Sequence, residues 1–179
     1  PLKTKNNLMQ KTAKQFLEYS KAAELWLSKN PKLSKFKRAI ERFGETYAEA
    51  YKPIQDLYNK KRKEIEADIK DLQIDYADKD ANGNIVCFTE TETTATGSVI
   101  VRETAAIKCS KPENMKLLER AVRAKSDELH QYDLDLLNNE IEFEPYYATE
   151  IPKDLEEYEK KAMSGFVLNP EMVTGQSEQ

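Results

Sequence analysis

The stretch that decides the fold is Leu33–Leu57, LSKFKRAIERFGETYAEAYKPIQDL, in which apolar side chains recur at alternating steps of three and four residues. This spacing places all of them on one side of an α-helix. We therefore predict a long helix from about Lys32 to Leu72 with an apolar seam for a helical partner. The seam consists of Leu33, Phe36, Ile40, Phe43, Tyr47, Ala50, Ile54 and Leu57.

A second apolar seam supplies that partner. It follows the segment Ser110–Glu113, SKPE, which has the form of a capping box with proline in the first turn. Two long seams joined by one connection predict an antiparallel helical hairpin, or coiled-coil pair. The second seam steps through Met115, Leu118, Val122, Leu129, Tyr132 and Leu136.

The connection between the two seams is rich in strand-forming residues. Ile85–Phe88 and Val99–Val101 are β-rich runs, and Gly97 lies in the turn segment between them. We predict a β-hairpin at the tip of the helical pair, in a register that places Glu92 opposite Arg102. The predicted fold class is thus mainly α with a small β-hairpin.

Shorter elements flank this arrangement. Residues 6–29 read as an N-terminal helix ended by Asn30-Pro31. After Asn139 the sequence alternates like a short strand, and Pro152 opens a short helix that Gly165 ends. In that helix Leu155 and Tyr158 are expected on the inner face. Phe166–Gln179 reads as an extended, ordered arm.

Three segments follow from these boundaries. Residues 1–30 form an N-terminal helix, and residues 31–140 form the helical hairpin with a β-hairpin insert at 83–109. Residues 141–179 supply a strand, a short helix and an extended tail.

Composition favours exposed helices and excludes a membrane span. The chain has 179 residues, of which 34% are charged, and its mean hydropathy is -0.77. No stretch approaches the roughly 18 consecutive apolar residues of a membrane helix. The first residues lack the apolar core of a secretory signal. Cys87 and Cys109 fit no metal spacing, so we expect reduced thiols in a cytosol.

Charge is distributed unevenly along the chain. Residues 1–40 hold ten Lys and Arg against two Glu, a net +8, whereas residues 127–160 hold two Lys against twelve acidic residues, a net -10. Such regions attract each other within one chain or between chains. A nucleic-acid site with Phe16, Tyr19 and Trp26 as stacking residues is a second interpretation. We favour a core role for these aromatics, because they fall at helical spacing.

The segment Asp78–Glu90, DKDANGNIVCFTE, resembles a calcium-binding loop at its start. Asp78, Asp80 and Asn82 occupy the first, third and fifth positions of an EF-hand pattern. However, Thr89 stands at the twelfth position, where that pattern requires glutamate. A helix-breaking turn is therefore the favoured interpretation, and a metal site built on these three side chains is the alternative.

Other catalytic chemistry finds little support. His130 is the only histidine, and the acidic residues near it are spread around the predicted helix. The sequence has no glycine-rich phosphate loop and no nucleophile motif. We therefore predict no catalytic residues, no cofactor, no small-molecule ligand and no enzyme activity.

The order of features resembles a family of small bacteriophage proteins known only as a domain of unknown function. The features are the seam helix, the acidic Asn-Gly turn at Asp78–Ile85, the helix ending in Leu136–Phe143 and the segment Ile151–Leu155. The resemblance covers about residues 33–156, whereas the first helix and the insertion Thr89–Ser98 depart from it. It implies a phage origin and a location in the virion or the host bacterial cytoplasm. It supplies no functional residues.

The leading hypothesis is a non-enzymatic phage structural or assembly protein that acts through protein–protein contacts. A two-stranded hairpin is marginal alone, so we expect another copy or another phage structural protein to pack on it. The alternatives are a phage inhibitor that binds a host protein through its acidic C-terminal half, and the metal-binding protein. The predicted interface residues are Val99, Ile100, Val101, Glu92 and Arg102.

Overall fold

Helices dominate the structure, a computed structural model that describes residues 8–30 and 32–174. Within this range the β structure consists of two small antiparallel sheets, so the predicted class, mainly α with a small β element, is confirmed. The chain divides into two compact units. The first comprises the residues up to Tyr58 and those from Asp133 onward, and the second comprises Asn59–Tyr132.

Five helices and four strands follow one another along the described chain. None of the helices in residues 8–30 and 32–174 combines the length and the apolar character needed to cross a bilayer. In chain order the elements are β1 (Met9–Thr12), α1 (Ala13–Lys29), α2 (Lys35–Asp75), β2 (Cys87–Thr93), β3 (Val99–Ile107), α3 (Pro112–Leu136), β4 (Glu140–Phe143), α4 (Glu157–Met163) and α5 (Pro170–Thr174).

The N-terminal segment corrects the prediction of a helix over residues 6–29. Residues 6 and 7 lie outside the described range, Met9–Thr12 forms β1, and α1 begins only at Ala13. The boundary is set by a capping box, in which the Thr12 hydroxyl accepts from the Gln15 amide and the Gln15 side chain accepts from the Thr12 amide. The predicted end is confirmed, because α1 stops at Lys29 with Asn30 as C-cap.

Strand β1 exists because β4 pairs with it. Met9 lies opposite Phe143, and Lys11 lies opposite Ile141. The predicted strand after Asn139 is confirmed as β4, in which Ile141 and Phe143 are buried and the alternate glutamates are exposed. Its partner is more than a hundred residues away in the chain, so local periodicity carried no signal for β1.

Aromatic side chains form the core of the first unit. The Phe166 ring lies 5.1 Å from Phe16, 4.8 Å from Tyr19 and 5.1 Å from Phe143, measured between ring centroids. Phe43 adds an edge-on contact with Tyr19 at 5.2 Å. One cluster therefore joins α1, α2, β4 and the segment after α4.

The predicted seam of α2 is buried only in part. Phe36, Ile40, Phe43 and Ile54 are buried, as the periodicity predicted. Leu33 instead lies before the helix and is 65% exposed, because α2 begins at Lys35, where the Ser34 hydroxyl accepts from the Lys37 amide. Leu57, the last residue of the seam, is also exposed.

Helix α3 begins differently from the prediction. The Ser110 hydroxyl donates to Asp78 Oδ2 at 2.6 Å, and α3 starts at Pro112. Ser110 is therefore not the predicted capping residue, because the residue directly before the helix is Lys111 and Ser110 lies one position further out. Most of the predicted α3 seam is half-buried, and Leu136 alone among the described α3 residues is fully buried.

The C-terminal segment differs most from its prediction. Phe166, Val167 and Leu168 are buried, so the chain after α4 belongs to the core and is not an extended arm. Leu155 is buried as predicted, but it precedes α4, and Tyr158 is exposed instead of facing inward. A further short helix, α5, follows, and the predicted ordering of residues 175–179 lies outside the described residues.

Gly165 makes the inward turn of this segment possible. Its φ of +81° is a conformation that glycine adopts without the steric cost of a Cβ atom, and an added Cβ would lie 3.0 Å from Lys11 Cε. Its amide donates to the Leu168 carbonyl at 2.8 Å, which closes the turn around Phe166 and Val167.

We predict that Gly165→Ala lowers the free energy of unfolding of the first unit by about 1–2 kcal/mol, the cost of a left-handed alanine. Gly44→Ala is the matched control, because Gly44 lies within α2 with no atom within 4 Å of an added Cβ. The control should stabilise by about 0.5–1 kcal/mol. Urea unfolding followed by fluorescence of Trp26, the only tryptophan, measures both. Equal effects of the two substitutions on the free energy of unfolding would contradict the left-handed conformation assigned to Gly165.

The aromatic core predicts a large effect of truncating Phe166. Phe166→Ala should cost about 3–5 kcal/mol, because the ring is fully surrounded and leaves a cavity. Phe88→Ala is the control of the same chemistry at an exposed site, and it should change stability by less than about 0.5 kcal/mol. Thermal unfolding followed by circular dichroism compares them. A small effect at Phe166 would show that the segment after α4 is not part of the core.

Candidate interaction surface on the β-hairpin

Strands β2 and β3 form a hairpin closed by the segment Thr94–Ser98. The Thr94 amide donates to the Ser98 carbonyl at 2.9 Å, and the Gly97 amide donates to the Thr94 carbonyl at 2.9 Å. The Thr94 hydroxyl also accepts from the Ser98 amide at 3.1 Å. Gly97 has a φ of +80°, which this type of turn requires. The hairpin predicted from the strand-forming runs is therefore present, and β3 ends at Ile107, within the predicted insert 83–109.

The register differs by two residues from the predicted one. Glu90 lies opposite Arg102, and Glu92 lies opposite Ile100, because the turn brings Thr93 opposite Val99. A shift of two residues preserves the face of each side chain. Arg102 Nη2 consequently still lies 3.8 Å from Glu92 Oε2, as a diagonal ion pair instead of a directly opposed one.

The two faces of the hairpin differ in chemistry. Alternation along the strands places Val99 and Val101 on one face together with the threonines opposite them, whereas Ile100 and Arg102 share the other face with Glu90 and Glu92. Both valines are 62% exposed. One face therefore presents uncovered methyl groups near the turn, with Glu103 opposite Thr89 as the charge further along this face.

Phe88 is an exposed apolar residue of the hairpin that the sequence analysis did not single out. It lies where the register shifts between Cys87 and Thr89, and half of its surface is exposed. The Thr104 hydroxyl donates to the Phe88 carbonyl at 2.8 Å and holds the backbone there. Sequence analysis missed Phe88 because its exposure accompanies a register shift, and a register shift depends on how the two strands pair.

Asp78 anchors the base of the hairpin to the segment before α3. Its carboxylate accepts from the Ser110 amide at 3.0 Å and from the Ser110 hydroxyl at 2.6 Å. The Asp78 backbone amide also donates to the Lys108 carbonyl at 2.8 Å. The hydrogen bonds from Ser110 lower the pKa of the Asp78 carboxyl, because they stabilise its charged form.

Asp80 shapes the predicted turn. Its carboxylate Oδ1 accepts from the amides of Asn82 and Asn84, both at 2.8 Å, and Gly83 adopts a φ of +84°. The Asp80 amide donates to the Asn84 carbonyl at 2.9 Å. The bonds from Asn84 lower the pKa of the Asp80 carboxyl. The turn interpretation of this stretch is thus confirmed.

The alternative metal site finds no support in this arrangement. Asp78 and Asp80 direct their carboxylates to amide and hydroxyl donors of the protein itself. Across residues 8–30 and 32–174, no group of three or more His, Cys, Asp and Glu side chains has an arrangement that could hold a metal ion.

The remaining candidate residues lie elsewhere. Phe16, Tyr19 and Trp26 are buried, so they are core residues as favoured, and they are not available for base stacking. His130 is exposed on α3. Cys87 and Cys109 are half-buried free thiols.

Comparison with protein-family models, with curated proteins and with solved structures finds no significant match to this chain.

The lowered pKa of Asp78 predicts an acid-sensitive hairpin base. The bonds from Ser110 are complete above the ordinary pKa of an aspartate, and they are lost as the pH falls through the lowered pKa of the folded state. We expect the Ser110 amide resonance to move toward the position of an unbonded amide during an NMR titration to about pH 2. Asp78→Asn should abolish this titration, and Asp71→Asn, on α2, should not. An unchanged titration in Asp78→Asn would show that another group is responsible.

Proposed function

We propose that this protein is a non-enzymatic bacteriophage structural or assembly protein that acts through protein–protein contacts made by its β-hairpin. The phage origin rests on the resemblance of residues 33–156 to the phage domain family. The observation that carries the role in association is the exposure of Val99 and Val101, both 62%, on one face of a two-stranded sheet.

The hairpin has two features that favour a neighbouring chain. Within the described residues β2 and β3 pair only with each other, so each has one edge of backbone groups without a strand partner. The face that carries the valines is also exposed, and apolar side chains gain free energy when another surface covers them. A strand added at an edge and a layer packed on the face both use these features.

The neighbour we propose is a second copy of this chain. The face with Val99 and Val101 includes Thr91 and Thr93 and is uncharged over these four residues near the turn, whereas Glu103 lies opposite Thr89 on the same face at the end far from the turn. Two copies that meet over these four uncharged residues avoid like-charge repulsion there, so this part of the face is complementary to itself. The opposite face, with Glu90, Glu92 and Arg102, keeps the hairpin hydrated on its other side.

Ion pairs support the antiparallel helical pair that presents the hairpin in this proposal. Lys61 of α2 pairs with Glu128 of α3, and Asp68 of α2 pairs with Lys125 of α3 at 2.6 Å. The partner's residue number falls as the α2 number rises, which is the order expected of antiparallel helices. Ile65 is buried between these positions in the sequence of α2.

A host-directed inhibitor acting through the acidic C-terminal half receives less support. Several of its carboxylates are engaged by lysines of the same chain. Glu150 pairs with Lys35, and Lys29 pairs with both Glu156 and Glu159. A nucleic-acid mimic depends on a continuous array of unpaired negative charge, and these internal pairs interrupt it.

The test is the double substitution Val99→Thr and Val101→Thr, which keeps β-branched side chains in the strand and replaces a methyl with a hydroxyl at each position. We expect the wild-type protein to self-associate in light-scattering measurements over a concentration series. The dissociation constant of the double variant should be at least about tenfold higher than that of the wild type. Each buried methyl group that is lost costs ~1 kcal/mol, and the loss occurs on both copies.

Leu117→Gln is the matched control, because Leu117 is an exposed apolar residue of α3 in the same unit. It should leave association unchanged, and circular dichroism should show that all three proteins have the same helix content. A wild-type protein that stays monomeric at every concentration would overturn the proposal, and so would equal effects of the control and the double variant.

A further inference from the structure

A groove of about 440 Å³ lies in the first unit, between the outer surfaces of α1 and α4. It belongs to a different unit from the hairpin, so it is independent of the surface proposed above. Both of its walls are helical, since Lys21 and Leu25 come from α1 and Tyr158 and Lys161 come from α4. Phe166, which is almost entirely buried, also lines the groove.

The floor and walls of the groove are largely apolar. Leu25 is 42% exposed and Tyr158 is 47% exposed, and both line the groove together with Ala22 and Ala162. The Tyr158 hydroxyl donates to Glu159 Oε1 at 3.1 Å, so the ring is held at the edge of α4 by its polar end. Two large apolar side chains therefore remain uncovered on facing helices.

The rim of the groove is basic. Lys11, Lys21 and Lys161 line it against one carboxylate, Glu18, which leaves a local charge of +2. In contrast to Lys29, whose ammonium lies 3.0 Å from Glu156, none of these three lysines is within 4 Å of a carboxylate of the described residues. The Lys11 ammonium instead lies 5.8 Å from the centroid of the Phe166 ring. The cations at the rim are therefore available to an outside anion.

We propose that this groove binds an acidic amphipathic peptide segment of a partner protein. The apolar side of such a segment covers Leu25 and Tyr158, and its carboxylates meet Lys21 and Lys161 at the rim. An apolar groove with charges at its edge is the usual arrangement of peptide-binding sites, in which apolar contacts supply affinity and rim charges supply specificity. Charge complementarity selects this occupant, since the lysines repel a basic segment and give an uncharged segment no electrostatic attraction.

The test begins with a displayed library of random peptides of about 12 residues, or about three helical turns. The library is selected on the full wild-type chain and counter-selected on the double variant Lys21→Glu and Lys161→Glu. We expect enrichment of peptides that combine several acidic residues with apolar ones. The most enriched peptide is then synthesised with a fluorescent label, and its affinity is measured by anisotropy at increasing salt.

The expected result is a loss of affinity of at least about tenfold in the double variant, because two attractions become repulsions, and a steady weakening with salt. Lys60→Glu with Lys63→Glu is the matched control, since both residues are exposed lysines of α2 outside the groove, and its affinity should stay within about twofold of wild type. Leu25→Ser should also weaken binding without altering the melting curve, because Leu25 is largely exposed.

Three results would overturn the proposal. The first is a selection that enriches no acidic peptide. The second is an enriched peptide that binds wild type and the Lys21/Lys161 variant equally. The third is self-association of the wild-type chain in ultracentrifugation that the Lys21/Lys161 variant loses and the Val99/Val101 variant keeps, which would make a second copy the occupant. The same peptide with every Glu replaced by Gln must bind at least about tenfold more weakly, or charge does not select the ligand.

Discussion

The packing of Phe166 against Phe16, Tyr19 and Phe143 is the interaction on which the first unit depends. It ties together α1, β4 and the segment after α4, which are far apart in the sequence. Strand β1 pairs with β4 beside it, and Gly165 turns the chain so that the ring enters the core. Aromatic pairs with centroids about 5 Å apart gain energy beyond their burial, which makes a small core sufficient.

Two buried polar groups lie within this core, and they differ in whether hydrogen bonds offset the cost of their burial. Glu159 is fully buried, and its carboxylate accepts from the Glu156 amide and the Tyr158 hydroxyl and pairs with Lys29. The Tyr19 hydroxyl is also buried but has no hydrogen-bond partner among residues 8–30 and 32–174, at a cost of about 1–3 kcal/mol that the surrounding rings must offset. Burial raises the pKa of Tyr19 far above its ordinary value, so the phenol stays neutral.

The second unit is built on a different principle from the first. Ile65 and Ala77 are among the few side chains that it buries. The valines of its strand β3 are exposed, whereas the first unit has a buried aromatic core. Charged pairs across α2 and α3, such as Asp68 with Lys125, contribute little stability individually. The proposed assembly with another chain at the hairpin would supply burial that this unit does not provide for itself. The groove between α1 and α4, in contrast, belongs to a unit that is already well packed, which suits a site for a reversible partner.

The sequence by itself determined the features that depend on neighbouring residues. Helical periodicity predicted α2 and α3, alternation predicted β4, and Asn82-Gly83 and Gly97 marked both turns, because each signal is written in a local window. Tertiary structure alone decided β1 and the burial of Phe166–Leu168, since each depends on a partner distant in the chain. The candidate hairpin residues were predictable as strand formers, but their shared face and the diagonal pair of Glu92 with Arg102 depended on the register. The turn sets that register, and a shift of two residues leaves no trace in a pattern of period two.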